Sequence, residues 1–82
     1  MNEDINRIKV VLVEKKKTSK WLAEQLGKDP TTVSKWCTNK VQPSLETLTE
    51  IARLLNVDVK DLLNSLSKEH HNYYQEVKQK VS

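Results

Sequence analysis

The sequence predicts an all-α fold: a compact domain of five short helices, followed by a C-terminal tail with room for one more. Three observations predict it. Apolar residues recur at three- and four-residue intervals in successive short segments, the spacing that gives a helix one buried face. Four of these segments open on a helix-capping residue, Thr18, Asp29, Ser44 and Asp58. Gly27, Asn39 and Asn56 follow three of them, and these residue types tolerate the left-handed backbone that ends a helix.

The first helix is expected from about Asn2 or Glu3 to Lys16. Ile5, Ile8 and Leu12 fall at i, i+3 and i+7 with Val11 beside them, which makes one buried stripe. Val10 and Val13 fall outside that stripe, so a second contact, with the C-terminal segment, is expected for them. Glu3 and Asp4 at the start and Lys15, Lys16 and Lys17 at the end complement the helix dipole, and the lysines also suit a phosphate. Thr18 caps a second helix from Ser19 to Leu26, with Leu22, Ala23 and Leu26 inward and Gly27 as its end. Asp29 caps the third, Pro30 takes the first helical position where no amide hydrogen is needed, and Val33 and Trp36 point inward.

Asn39 to Pro43 is a linker, and Ser44 caps the fourth helix, whose apolar face is Leu45, Leu48, Ile51, Ala52 and Leu55. Asp58 and Asp61 resemble a capping box for a short fifth helix carrying Val59, Leu62 and Leu63. In the tail, Tyr73, Val77 and Val81 share an i, i+4, i+8 face with Leu66 and Tyr74 nearby, but a polar SKEHHN stretch precedes them. It reads either as an amphipathic helix, packed on its own domain or on a second subunit, or as a disordered segment.

A chain of 82 residues forms one small domain near the lower size limit for a self-sufficient core, here residues 1–64, with residues 65–82 as the tail. The single cysteine, Cys37, excludes an intramolecular disulfide and points to a reducing, cytoplasmic setting. No signal-peptide pattern is visible, and the longest apolar run, Val10 to Val13, is far too short to cross a bilayer. The net charge of +3 is unevenly placed: residues 1–43 carry nine Lys or Arg against five acids, and residues 44–64 carry two against four. A basic half suits a polyanion, and the other half suits solvent or a partner.

Two helices joined by a few residues that include a glycine form a helix-turn-helix, whose second helix can enter the DNA major groove. Thr18, Leu22, Ala23, Gly27, Val33, Ser34, Trp36, Pro43, Leu48, Ile51, Ala52, Leu55, Val57 and Leu62, at this spacing, resemble the Cro and phage-repressor type of helix-turn-helix domain, the xenobiotic-response-element family. The resemblance covers roughly residues 5 to 64. It implies a repressor-like fold, DNA binding, and phosphate contact from the loop holding Lys40. The chain departs from the family at two places. Ser19 stands where the family often has Gln, and Cys37, Thr38 and Asn39 stand where Glu-Arg-Gly is typical, so no role for that Glu-Arg pair is carried over.

Position on a recognition helix decides which side chains reach bases. With Asp29 as cap, these are Thr31 and Thr32 in the first turn, beside Pro30, and Lys35 one turn later. The threonines offer a hydroxyl and a methyl, and Lys35 reaches guanine O6 and N7 or a phosphate. Ser19 and Lys20 with the free amides of the second helix, Lys28 in the turn, Asn39 and Lys40 are the candidate backbone contacts. One such domain covers few base pairs, so a homodimer on an inverted repeat is expected, with Leu62, Leu63, Leu66, Tyr73 and Val77 as candidate dimer contacts.

Enzyme chemistry finds no support. His70 and His71 are adjacent and so point about 100° apart on a helix, which does not suit a shared metal. Cys37 has no partner cysteine and reads as a small hydrophobe. Neither a cofactor nor a metal is expected. The sequence reads as a DNA-binding transcriptional regulator, most simply a repressor acting as a dimer. The rival is an antitoxin or bridging-type interaction module that keeps the fold and holds a protein partner through its C-terminal segment.

Overall fold

A computed structural model describes residues 4–64. Four α-helices follow one another, α1 (Ile8–Glu14), α2 (Ser19–Leu26), α3 (Pro30–Cys37) and α4 (Leu45–Leu55), and a single 3-10 turn, Val59–Leu62, closes the order. All five elements contribute to one core in which Ile8, Leu22, Val33, Ile51 and Leu62 are completely buried. α2 packs most extensively on α3, α4 covers α2, and α1 lies against both α3 and the 3-10 turn.

The caps form as their chemistry requires. Thr18 Oγ1 accepts from the Trp21 amide at 3.0 Å, Asp29 Oδ1 from Thr31 at 2.8 Å and Ser44 Oγ from Thr47 at 3.1 Å. Gly27, Asn39 and Asn56 all adopt left-handed backbone, with φ of 66°, 62° and 59°. Lys16 does so too, at 59°, and the Lys17 amide then reaches back to the Leu12 carbonyl to close α1.

Three expectations are corrected. α1 starts at Ile8, not near Glu3, because residues 5 and 6 run extended and pair with the end of the domain: Asn6 forms an antiparallel bridge with Leu63. Ile5 therefore lies outside the helical stripe and is 55 % exposed, while Ile8, Val11 and Leu12 are buried as expected. The early end at Glu14 leaves Lys15, Lys16 and Lys17 beyond the last turn, and Lys17 sits over the Trp21 ring, 4.8 Å from its centroid. The fifth helix is only a four-residue 3-10 turn. Asp61 does accept from the Asp58 amide at 3.0 Å, but Leu63 then turns extended to reach Asn6, which stops helical growth. Leu45 has the azimuth of the α4 core face yet is 71 % exposed, being the first residue of the helix and one turn ahead of Leu48, the first buried one.

Val10 and Val13 are exposed. The second contact expected for them, the dimer contacts Leu66, Tyr73 and Val77, and the pair His70 and His71 all fall outside the described residues. No described helix is long and apolar enough to cross a membrane.

Candidate nucleic-acid interface

The outward face of α3 follows from what its inward face buries. Val33 and Trp36 enter the core and Cys37 is half-buried beside them. At 100° per residue, the opposite direction belongs to Thr31, Lys35 and Thr38, flanked by Thr32 and Ser34. All five are exposed. The reading from sequence named Thr31, Thr32 and Lys35 and missed Ser34 and Thr38. The signal for them was present: from Thr31 they stand at i+3 and i+7, the periodicity already used for the core.

The two ends of α3 are held differently. At its start, Asp29 caps the helix and the Gly27 turn presents Lys28, whose amide donates to the Ala23 carbonyl at 3.0 Å while its side chain is exposed. At its end, the chain folds back. The Asn39 amide donates to the Trp36 carbonyl at 3.0 Å, and the Lys40 and Val41 amides donate to the Lys35 carbonyl at 2.9 and 3.3 Å. The amides of Asn39, Lys40 and Val41 in this loop, from which phosphate contact is expected, are thus consumed in closing the helix, and the Lys40 side chain stays exposed.

Asn39 departs from expectation in the same way. Its Oδ1 accepts from the Ile5 and Asn6 amides and from Gln42 Nε2, and its Nδ2 donates to the Asn6 carbonyl. The carboxamide is thus held at both its oxygen and its nitrogen by groups of the chain itself. Leu62, expected in a dimer contact, is completely buried in its own core, whereas Leu63 is 38 % exposed.

At the start of α2, the Trp21 amide is capped by Thr18 and the Leu22 amide bonds the Thr18 carbonyl, so the amides of Ser19 and Lys20 are the ones left facing outward. Ser19 lines a hollow of about 300 Å³ together with Ser34 and Thr38 of α3, Lys9 of α1 and Lys17. This hollow brings the start of α2 beside one flank of α3. Lys20, Lys28, Lys35 and Lys40 are exposed, and among the described residues the one salt bridge is elsewhere, Arg7 to Glu14 at 4.0 Å.

Cys37 also lines the hollow. Burial pushes its thiol above the ordinary range, and the nearby Lys9 ammonium pulls more weakly the other way. The neutral thiol is therefore favoured at pH 7–8, so alkylation by iodoacetamide is expected to be slower than that of a free cysteine and to rise only at more alkaline pH. A rate equal to free cysteine at pH 7.5 would contradict this.

Comparison with known proteins bears directly on this geometry. A solved structure of a candidate DNA-binding protein from Bacteroides fragilis is 60 % identical, with a TM-score of 0.72, the match covering 73 % of this chain and 97 % of that one. No curated protein matches. The profile of the Cro/C1-type HTH DNA-binding domain matches residues 7–65, which takes in all four helices and the 3-10 turn. The chain belongs to the Cro/C1-type helix-turn-helix DNA-binding family.

Proposed function

We propose that this protein is a sequence-specific transcriptional regulator that binds an inverted-repeat operator as a dimer and acts as a repressor by blocking access to the promoter. The observation that carries the reading is the exposed ridge of α3, where Thr31, Thr32 and Lys35 project from a helix whose other side is locked into the core. Eight helical residues rise about 12 Å, a length that the major groove accommodates. Ser19 and Lys20 before the ridge, Lys28 at its start and Lys40 at its end supply charge or donors for phosphates on the groove walls. Threonines discriminate bases weakly, so specificity draws on two half-sites and on DNA shape. The exposed Leu63 and the segment that follows it are the proposed dimer contact.

Selection of bound sequences from a random DNA pool tests this directly. A palindromic consensus with half-sites about one helical turn apart is expected. A non-palindromic consensus removes the dimer, and an unenriched pool removes sequence-specific regulation and favours the interaction-module alternative. Lys40→Ala is expected to leave the consensus unchanged while the slope of log K against log salt becomes shallower by about 0.9 per lost phosphate contact. An unchanged slope would take Lys40 out of the interface.

A further inference from the structure

Among the described residues, long-range side-chain hydrogen bonds gather where the end of α3 meets the extended residues ahead of α1. Asn6 is a polar residue only 3 % exposed, and every polar atom of its side chain is engaged. Its Nδ2 donates to the Trp36 carbonyl at 2.9 Å and to Gln42 Oε1 at 2.7 Å, and its Oδ1 accepts from the Ile8 amide at 3.0 Å. Gln42 Nε2 donates in turn to Asn39 Oδ1 at 3.1 Å. The Asn39 carboxamide accepts from the Asn6 amide at 2.8 Å and donates to the Asn6 carbonyl at 3.2 Å, pairing with that peptide as a neighbouring strand would.

The opposite edge of the same extended segment is tied to the end of the domain. Arg7 donates to the Leu62 carbonyl, and Asn64 donates to the Ile5 carbonyl, both at 2.8 Å. Three stretches far apart in sequence are thus joined by directional bonds around the buried Asn6 side chain, where an unmatched polar atom is costly and geometry is correspondingly well defined. One of them, through the Trp36 carbonyl and Asn39, is the last turn of α3, on the same short rigid rod as Thr31 and Lys35. Apolar contacts of Val33 and Trp36 hold the helix against the core but are non-directional, whereas the Asn6 bonds fix both a distance and an angle at the helix end.

We propose that Asn6 is a positioning residue for DNA recognition: with Asn39 and Gln42 it clamps the C-terminal end of α3 and sets the angle at which the recognition helix meets the groove. The inference rests on the proposed reading of DNA by α3. It explains why residue 39 is Asn, since the left-handed backbone alone is met equally well by glycine, which has no carboxamide. It also assigns Asn6 and Gln42 a role in specificity without any contact to DNA.

The test is the ratio of affinity for a selected site to affinity for unrelated duplex DNA, measured by titration of the full chain at a temperature where circular dichroism shows it folded. Asn6→Ala and Gln42→Ala are compared with Ile51→Val, a core truncation, with each measured at the same interval below its own Tm. Lysine contacts to phosphate survive a misaligned helix, whereas base contacts do not. The two clamp variants are therefore expected to lower the ratio about tenfold or more, with affinity for unrelated DNA changed less than about twofold, while Ile51→Val keeps the ratio. An unchanged ratio in the clamp variants, or an equal loss in Ile51→Val, overturns the clamp. If Asn6→Ala does not fold, the half-buried Gln42→Ala decides alone. If the unaltered protein prefers no sequence, the reading of DNA by α3 fails and the clamp's role in it fails too; a preference that survives in both clamp variants sinks the clamp only.

Discussion

Leu22→Ala lowers the melting temperature by at least about 10 °C or abolishes the cooperative transition. Leu22 is completely buried on α2, the helix that packs most extensively on α3 and is itself covered by α4. Truncating such a side chain costs about 2–5 kcal/mol, the lost burial plus the cavity left behind. A domain this small has a total stability of only about 3–5 kcal/mol to lose, and each kcal/mol shifts Tm by roughly 4–8 °C. Thermal melts followed by far-UV circular dichroism measure it. A shift of only a few degrees would mean that the α2 and α3 pair is supported by contacts outside the core described above.

Lys35→Ala weakens binding to a selected DNA site by about 1–2 kcal/mol, roughly five- to thirtyfold in Kd. Lys35 projects from the middle of the exposed ridge and has no salt bridge among the described residues, so its removal costs the fold little. The loss at the selected site should exceed the loss on unrelated duplex, because a base contact is sequence-dependent and a phosphate contact is not. Equal losses on both would place Lys35 on the backbone, and no loss on either would place α3 away from the groove.

Much of this molecule could be read before it was seen. The bounds of α2, the start of α3, the capping of α2, α3 and α4, the inward placement of Val33 and Trp36, and the left-handed Asn39 all depend on interactions within about four residues of chain. Local rules of capping and periodicity are sufficient there. The exposed ridge was legible for the same reason, as the complement of a buried face. Ser34 and Thr38 belong to the same exposed side by spacing alone, at i+3 and i+7 from Thr31.

What sequence order could not supply were contacts between distant residues. Ile5 fits a helical stripe by spacing, yet a pairing with residues nearly sixty positions away holds it extended. Leu62 and Leu63 are adjacent leucines, and one is sealed in the core while the other is exposed, because the 3-10 turn ends at Leu62 and Leu63 runs extended to pair with Asn6. Asn39 looked like a surface amide and became a strut. Each of these outcomes turns on which backbone groups must find partners once the chain is compact, and that demand exists only in three dimensions. The sequence by itself determined the helices, their caps and the face that projects outward, since those are local choices of dihedral angle and side chain. Tertiary structure alone decided where α1 begins, which leucine is hidden and how the end of α3 is anchored, since those depend on hydrogen bonds that close across the whole fold.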